Sequence, residues 1–127
     1  VEGKDVFVAD DIIASGDSIL DLAYNLKRRK AKRVFAGATF AFFTSGLEAF
    51  DKAYADGVID HVFATNLTYT PKEVLERPWF SQADMSKYMA FVIATLNHDQ
   101  SLSYLLNPWN RIEKLLTKYR ADHPVED

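Results

Sequence analysis

The run Asp5-Val6-Phe7-Val8-Ala9 is short and mostly apolar, set between a Gly3-Lys4 turn and the acids Asp10 and Asp11. Such a run predicts a buried parallel strand. From Ser18 to Lys30 the period changes, with Ile19, Leu22, Ala23 and Leu26 recurring at helical spacing. Ser18 and Asp21 suit a variant capping box at its start, and Lys27 to Lys30 sit where cations complement the dipole at its end. Arg33 to Thr39 predicts a second strand, and Gly46 to Ala55 a second helix closed by Asp56-Gly57, with Gly57 as a left-handed cap. Ile59 to Thr65 predicts a third strand.

Alternation of strand and helix is the signature of right-handed crossovers and a parallel sheet, so the expected fold class is α/β, a parallel sheet flanked by helices. The second half reads differently. Thr70-Pro71 and Arg77-Pro78-Trp79 mark a connection that resists regular structure. Gln82 to Leu96 predicts a helix with Met85, Met89, Val92, Ile93 and Leu96 on one face, which core packing would use. After the polar turn Asn97-His98-Asp99-Gln100 and the segment Ser101 to Leu106, a terminal helix is expected from Pro108 to Tyr119, proline being tolerated at its first position. The pattern contains no repeat, so we expect one domain over residues 1–127 with a helical extension from about 108.

Composition narrows the function classes. At 48% apolar and 26% charged residues, the chain reads as globular and soluble. A net charge of -3 speaks against a nucleic-acid surface, and no apolar stretch is long enough to span a bilayer. Cysteine is absent, which rules out disulfides and thiolate metal sites and is compatible with a cytoplasmic setting. His61, His98 and His123 lack ligand spacing with one another. The opening Val1-Glu2-Gly3-Lys4, without methionine, leads us to expect a fragment of a longer protein.

The stretch "VADDIIASGDS", Val8 to Ser18, concentrates the candidate chemistry. In open parallel sheets ligands bind beyond the carboxyl ends of strands, where loops lead into helices. Carboxylates at Asp10 and Asp11 can accept hydrogen bonds from a vicinal diol. Ala14, Ser15, Gly16, Asp17 and Ser18 present successive backbone N–H groups at a helix N-terminus, and their small size lets the backbone approach an anion. The same residue types also serve as turn formers and helix caps, so residue type alone leaves both readings open.

The full string resembles the phosphoribosyl-pyrophosphate loop of the type I phosphoribosyltransferase fold. Together with "ATFAFFTSGLEAF" (38–50), "VFATNLTY" (62–69), "SKYMAFVI" (86–93) and "SLSYLL" (101–106), it is similar to the C-terminal half of the ribose-phosphate pyrophosphokinases. Those enzymes transfer the diphosphoryl group of MgATP to ribose 5-phosphate. The resemblance implies that Asp10 holds ribose hydroxyls, with Asp11 beside it for the sugar or for Mg2+, and that Ala14 to Ser18 cradle the 5-phosphate. It also implies homo-oligomers, in which Trp79 could serve an interface. The ATP-binding and catalytic residues of the family match nothing here, so this chain alone is expected to be inactive, with no catalytic residue of its own; Mg2+ is expected with ATP through the other half.

Two departures stand out. Asp17 occupies a position where the family pattern has glycine, and Phe40 follows Thr39 where the pattern has histidine. They motivate one alternative, a non-catalytic subunit associated with the synthetase; a second alternative, a phosphoribosyltransferase that consumes phosphoribosyl pyrophosphate, stands because the same loop serves such enzymes. Asn66, just after the third strand, is either a ligand-facing group or a turn former.

Overall fold

The structure is a computed structural model, and it describes residues 1–103 and 107–124. Tyr104, Leu105 and Leu106 of the SLSYLL segment lie outside the described residues. The chain divides into two compact units, Val1–Met85 and Ser86–Asp127.

The first unit is a four-stranded, wholly parallel sheet in the order β1 (Asp5–Ile13), β2 (Arg33–Ala41), β3 (His61–Thr65) and β4 (Phe80–Ala83). Helices α1 (Asp17–Arg28), α2 (Glu48–Ala55) and α3 (Lys72–Leu75) make the crossovers. Strand order equal to chain order, combined with right-handed crossovers, places successive helices on the same face of a sheet. The packing agrees. Ile19, Leu20 and Ala23 of α1, Phe50 and Ala53 of α2 and Val74 of α3 share one core with Val34, Ala36, Val62, Ala64 and Phe80.

The opposite face carries Phe7, Phe35 and Phe63. Phe7 packs over Gly37, where a Cβ would come within 2.5 Å of its ring, and lies 6.4 Å from the ring of Phe63. Phe7 nevertheless stays 60% exposed. Expectation and structure part here: β1 is an exposed edge strand, not a buried one, and it runs on through Asp10 and Asp11 to Ile13. At its start Asp5 pairs with Arg33 of β2, whose guanidinium holds the Asp5 carboxyl below its usual range.

An aromatic cluster forms the centre of the core. Phe50 stacks on Trp79 at 5.3 Å, while Phe43 meets both edge-on at 5.1 and 5.6 Å. Phe43 adopts a left-handed backbone, with φ of 49°. Such a conformation costs a non-glycine residue on the order of 1–2 kcal/mol, a cost its buried ring offsets. Trp79 is 0% exposed, which makes it a core residue and corrects the interface role suggested for it. Its indole N–H donates to Asp51 Oδ1 at 2.7 Å, and Arg77 Nε pairs with the same oxygen at 3.1 Å. The Arg77-Pro78-Trp79 stretch resisted assignment because its order comes from this long-range contact, not from periodicity.

Other boundaries shift for local reasons. Gly16, in the left-handed region, occupies the N-cap position of α1 and no side chain caps the helix, so the expected Ser18 capping box does not form. The C-terminus of α1 does bear Lys27 and Arg28, and Lys27 Nζ reaches the carbonyl of Lys32 and the Asp60 carboxylate. Gly57 takes the left-handed turn after α2 as expected, with φ of 66°. Residues 80–83, read partly as helix, form β4.

The second unit contains α4 (Ser86–Asn97) and α5 (Trp109–Asp122), neither of which has a buried residue. The stripe assigned to core packing on α4 is therefore open, with Met89, Ile93 and Leu96 all exposed. Arg111 of α5 stacks its guanidinium 5.9 Å from the ring centre of Tyr88 on α4. Among the described residues no helix is long and apolar enough to cross a membrane.

Removing the shared acceptor tests how far the aromatic core depends on its one polar anchor. Asp51→Ala leaves a buried indole N–H without a partner and should lower unfolding stability by about 1–3 kcal/mol in urea titrations. Asp51→Asn keeps an acceptor and should lose distinctly less.

Candidate functional site

The carboxyl end of β1 passes into α1 through Ala14, Ser15 and Gly16. Gly16 is fixed twice over. Its φ is 93°, and a Cβ placed there would come within 2.2 Å of the Phe50 ring. The loop is also laced to the segment that follows β2: Phe42 N–H donates to Ile13 O at 2.8 Å, and Thr44 N–H to Ala14 O at 2.9 Å. Sequence reading had no signal for these three supports, since Phe50 reads only as an apolar position on a helix and the Phe42 and Thr44 contacts are made by backbone.

A shallow cavity of about 110 Å³ opens on this turn, lined by Asp10, Ile12, Ile13 and residues Ala14 to Ile19. Asp10 and all five proposed phosphate-loop residues therefore meet at one place. Asp11 does not line the cavity. Because β1 continues through both acids, neighbouring side chains leave opposite faces of the strand, and the two carboxylates diverge. Asp10 turns back on its own chain and accepts the Asp11 amide at 2.7 Å.

The electrostatics are mixed. The first helical turn supplies amides with no acceptor four residues earlier, and Leu20 N–H to Gly16 O at 2.9 Å is the first helical bond. Those amides and the helix dipole favour an anion. Against that, the lining has two carboxylates and no lysine or arginine. Asp17 does not swing clear of the loop, since it accepts the Ser15 hydroxyl at 2.8 Å. The volume falls well below the roughly 300–1,000 Å³ typical of larger ligand sites, so the cradle suits one phosphate-sized group and not a nucleotide.

Neighbouring strand ends carry the other residues singled out by sequence. Phe40 stacks on Phe42 with ring centres 6.4 Å apart, a contact the family-typical histidine would alter. Asn66 ties β3 to the end of β4: its Nδ2 donates to Asp84 Oδ1 at 2.8 Å and its Oδ1 accepts the Met85 amide at 2.8 Å. That arrangement supports the turn-forming role.

The family described as "Phosphoribosyl synthetase-associated domain" matches residues 1–107. The chain is 36% identical to a ribose-phosphate pyrophosphokinase of Vibrio cholerae over 107 residues, covering 84% of this chain and 33% of that protein. It is 30% identical to the human phosphoribosyl pyrophosphate synthase-associated protein 2 over 105 residues, covering 83% of the chain and 28% of that relative. The crystal structure of a phosphoribosylpyrophosphate synthetase from Mycobacterium smegmatis superposes with a TM-score of 0.67 at 22% identity, over 78% of this chain and 32% of that one. The fold is the type I phosphoribosyltransferase-like α/β fold expected from the sequence. The chain spans about one third of the length of the curated relatives it matches.

The fit between loop and core predicts a large effect from one methyl group. Gly16→Ala combines a left-handed alanine with a clash on Phe50 and should destabilise the unit by about 2–5 kcal/mol. In the Phe50→Leu background the clash part should shrink, giving a non-additive double-mutant cycle by denaturant titration.

Proposed function

Since the chain belongs to the phosphoribosyl synthetase-associated domain family, we propose that it is the ribose 5-phosphate-binding part of a ribose-phosphate pyrophosphokinase. The observation that carries this reading is the convergence of Asp10 with Ala14 to Ser18 around a phosphate-sized hollow. Backbone amides of the first turn of α1, with the Ser18 hydroxyl, take the 5-phosphate. Asp10, at the mouth of the same hollow, accepts the ribose hydroxyls. Phosphoryl-type transfer depends chiefly on positioning and charge neutralisation, so a rigid acceptor cradle is one half of the machinery. ATP and the catalytic side chains belong to sequence outside this segment, and the segment alone does not turn over.

Mg2+ in this reading would come with ATP and would supply charge neutralisation of its phosphates. Among the described residues no three His, Asp or Glu side chains gather into a metal-holding group. Magnesium is commonly held by one or two carboxylates plus substrate phosphates, so Asp11 would contribute at most one ligand at the sugar end. The complete protein is proposed to be a cytoplasmic homo-oligomer.

One feature favours a second reading. Asp17, hydrogen-bonded inside the cradle, opposes the anion that the loop would hold. At about 5 Å the repulsion is on the order of 3 kcal/mol per unit charge for an effective dielectric near 20, reduced by solvent at this exposed position. A chain weakened in this way would act as a non-catalytic, synthetase-associated subunit. A phosphoribosyltransferase reading has no comparable observation in its favour.

Calorimetric titration of ribose 5-phosphate into the chain separates these outcomes. The enzyme reading expects saturable binding, weakened at least tenfold by Asp10→Asn and strengthened about tenfold by Asp17→Gly. Binding that appears only in Asp17→Gly would favour the associated subunit. Absence of binding in all three proteins would defeat the acceptor-site assignment for this segment.

A further inference from the structure

Three non-glycine residues among those described have a left-handed backbone: Lys30, Phe43 and Asp99. Lys30 and Asp99 are exposed and follow helices, where such a turn is ordinary. Phe43 is 6% exposed and follows a strand. A bulky residue is a poor choice for that conformation, and the remaining positive-φ positions are glycines. Backbone held in an unfavourable region gathers at binding and switch segments, so the neighbours of Phe43 decide what its conformation serves.

The hydrogen bonds on either side of it supply the answer. Phe42 N–H donates to Ile13 O at 2.8 Å and Thr44 N–H to Ala14 O at 2.9 Å, so donors two residues apart meet acceptors one residue apart. A parallel ladder steps evenly along both strands, and from Phe42 on Ile13 it would carry Thr44 to Ser15. The left-handed turn at Phe43 draws Thr44 back by one residue. Pairing therefore stops at Ala14, and the chain at Ser15 and Gly16 leaves the sheet to enter α1. The ring anchors this geometry. It meets Phe50, Trp79 and Phe80 edge-on at 5.1, 5.6 and 5.9 Å, and Phe50 is the residue that fills the space beside Gly16. One residue thus grips the core with its side chain and the turn with the amides that flank it.

We propose that Phe43 is a positioning residue for the candidate binding loop: its left-handed backbone aims the Phe42 and Thr44 amides at Ile13 and Ala14, and this clamp fixes where the turn from Ala14 to Ser18 begins. The clamp stands on geometry alone, whereas its effect on a ligand rests on the sugar-phosphate reading of the loop. In that reading Phe43 touches no ligand and acts by lowering the cost of ordering the turn.

Amide hydrogen exchange on the whole chain tests the clamp. Thr44 is an exposed residue, yet its amide in wild type should exchange slower than an unstructured amide by about tenfold or more. Phe43→Leu and Phe43→Ile then separate ring from backbone. Both lose the ring and are isomers of each other, but branching at Cβ makes isoleucine far less tolerant of a positive φ. The Val62 amide, bonded to Trp79 O, serves as the internal reference for global stability. Against it, Thr44 exchange should be about tenfold faster in Phe43→Ile than in Phe43→Leu. Calorimetric affinity for ribose 5-phosphate should fall about fivefold further in Phe43→Ile than in Phe43→Leu. An unprotected Thr44 amide in wild type overturns the proposal before any variant is made. Equal Thr44 exchange in the two variants also overturns it and leaves Phe43 a core residue only. Unequal exchange with equal affinities keeps the clamp but removes its positioning role. Wild type that binds no ribose 5-phosphate defeats the sugar-phosphate reading and the positioning role with it, while exchange at Thr44 still judges the clamp.

Discussion

The ring of Phe50 occupies the space that any side chain on residue 16 would need, and this contact joins the candidate binding loop to the aromatic core. Everything about the turn follows from it. The chain can leave β1, reverse and enter α1 only by pressing its backbone against that ring. Glycine is the residue that permits both the close approach and a φ of 93°. Phe50 itself is held by Phe43 and Trp79, and Trp79 by the Asp51 carboxylate. A line of packed groups therefore runs from the start of β4 through α2 to the loop. Preorganisation of this kind lowers the ordering cost of any binding at the turn, because the backbone there is already fixed by packing.

The sheet is built asymmetrically around that line. Sequential strand order gathers α1, α2 and α3 on one side, where small residues of β2 and β3 such as Ala36 and Ala64 let the helices sit close. The other side presents phenyl rings on a pleated surface, with Gly37 making room for Phe7 to lie across its neighbour strand. Parallel sheets usually bury both faces. The site belongs to neither face, since it lies at the carboxyl ends of the strands, the position that connections in this architecture leave open for ligands.

Much of this could be read from residues. Period and punctuation located β2, α1 and α2 closely, because Arg33 to Ala41 is continuous and Gly57 turns the chain where a glycine was needed. The turn from Ala14 to Ser18 was legible because backbone that must pass close to its surroundings leaves a trace in the sequence as small residues. What escaped was set by tertiary contact. Burial of β1 was overestimated because Val6, Phe7 and Val8 look the same whether a strand is central or at an edge. The acids at 10 and 11 read as the end of the strand, whereas pairing with β2 carries it onward to Ile13 and sends the two carboxylates apart. The short β4 and the place of Trp79 depend on partners that lie far away in the chain. The α4 stripe shows the reverse case, a helical period without burial.

The acids of β1 have one more effect, which concerns other sheets and not ligands. Among the described residues, β1 pairs with β2 alone and leaves its other backbone edge unpaired. An apolar strand with Val6, Phe7, Val8, Ile12 and Ile13 and an open row of amides and carbonyls would be a template for sheet-to-sheet growth. Asp10 and Asp11 place a carboxylate on each face of that strand near its end, and a second copy of the strand laid beside it in parallel would meet like charge there. Those carboxylates thus act as gatekeepers against aggregation, and a chain that traded them for neutral residues would lose solubility.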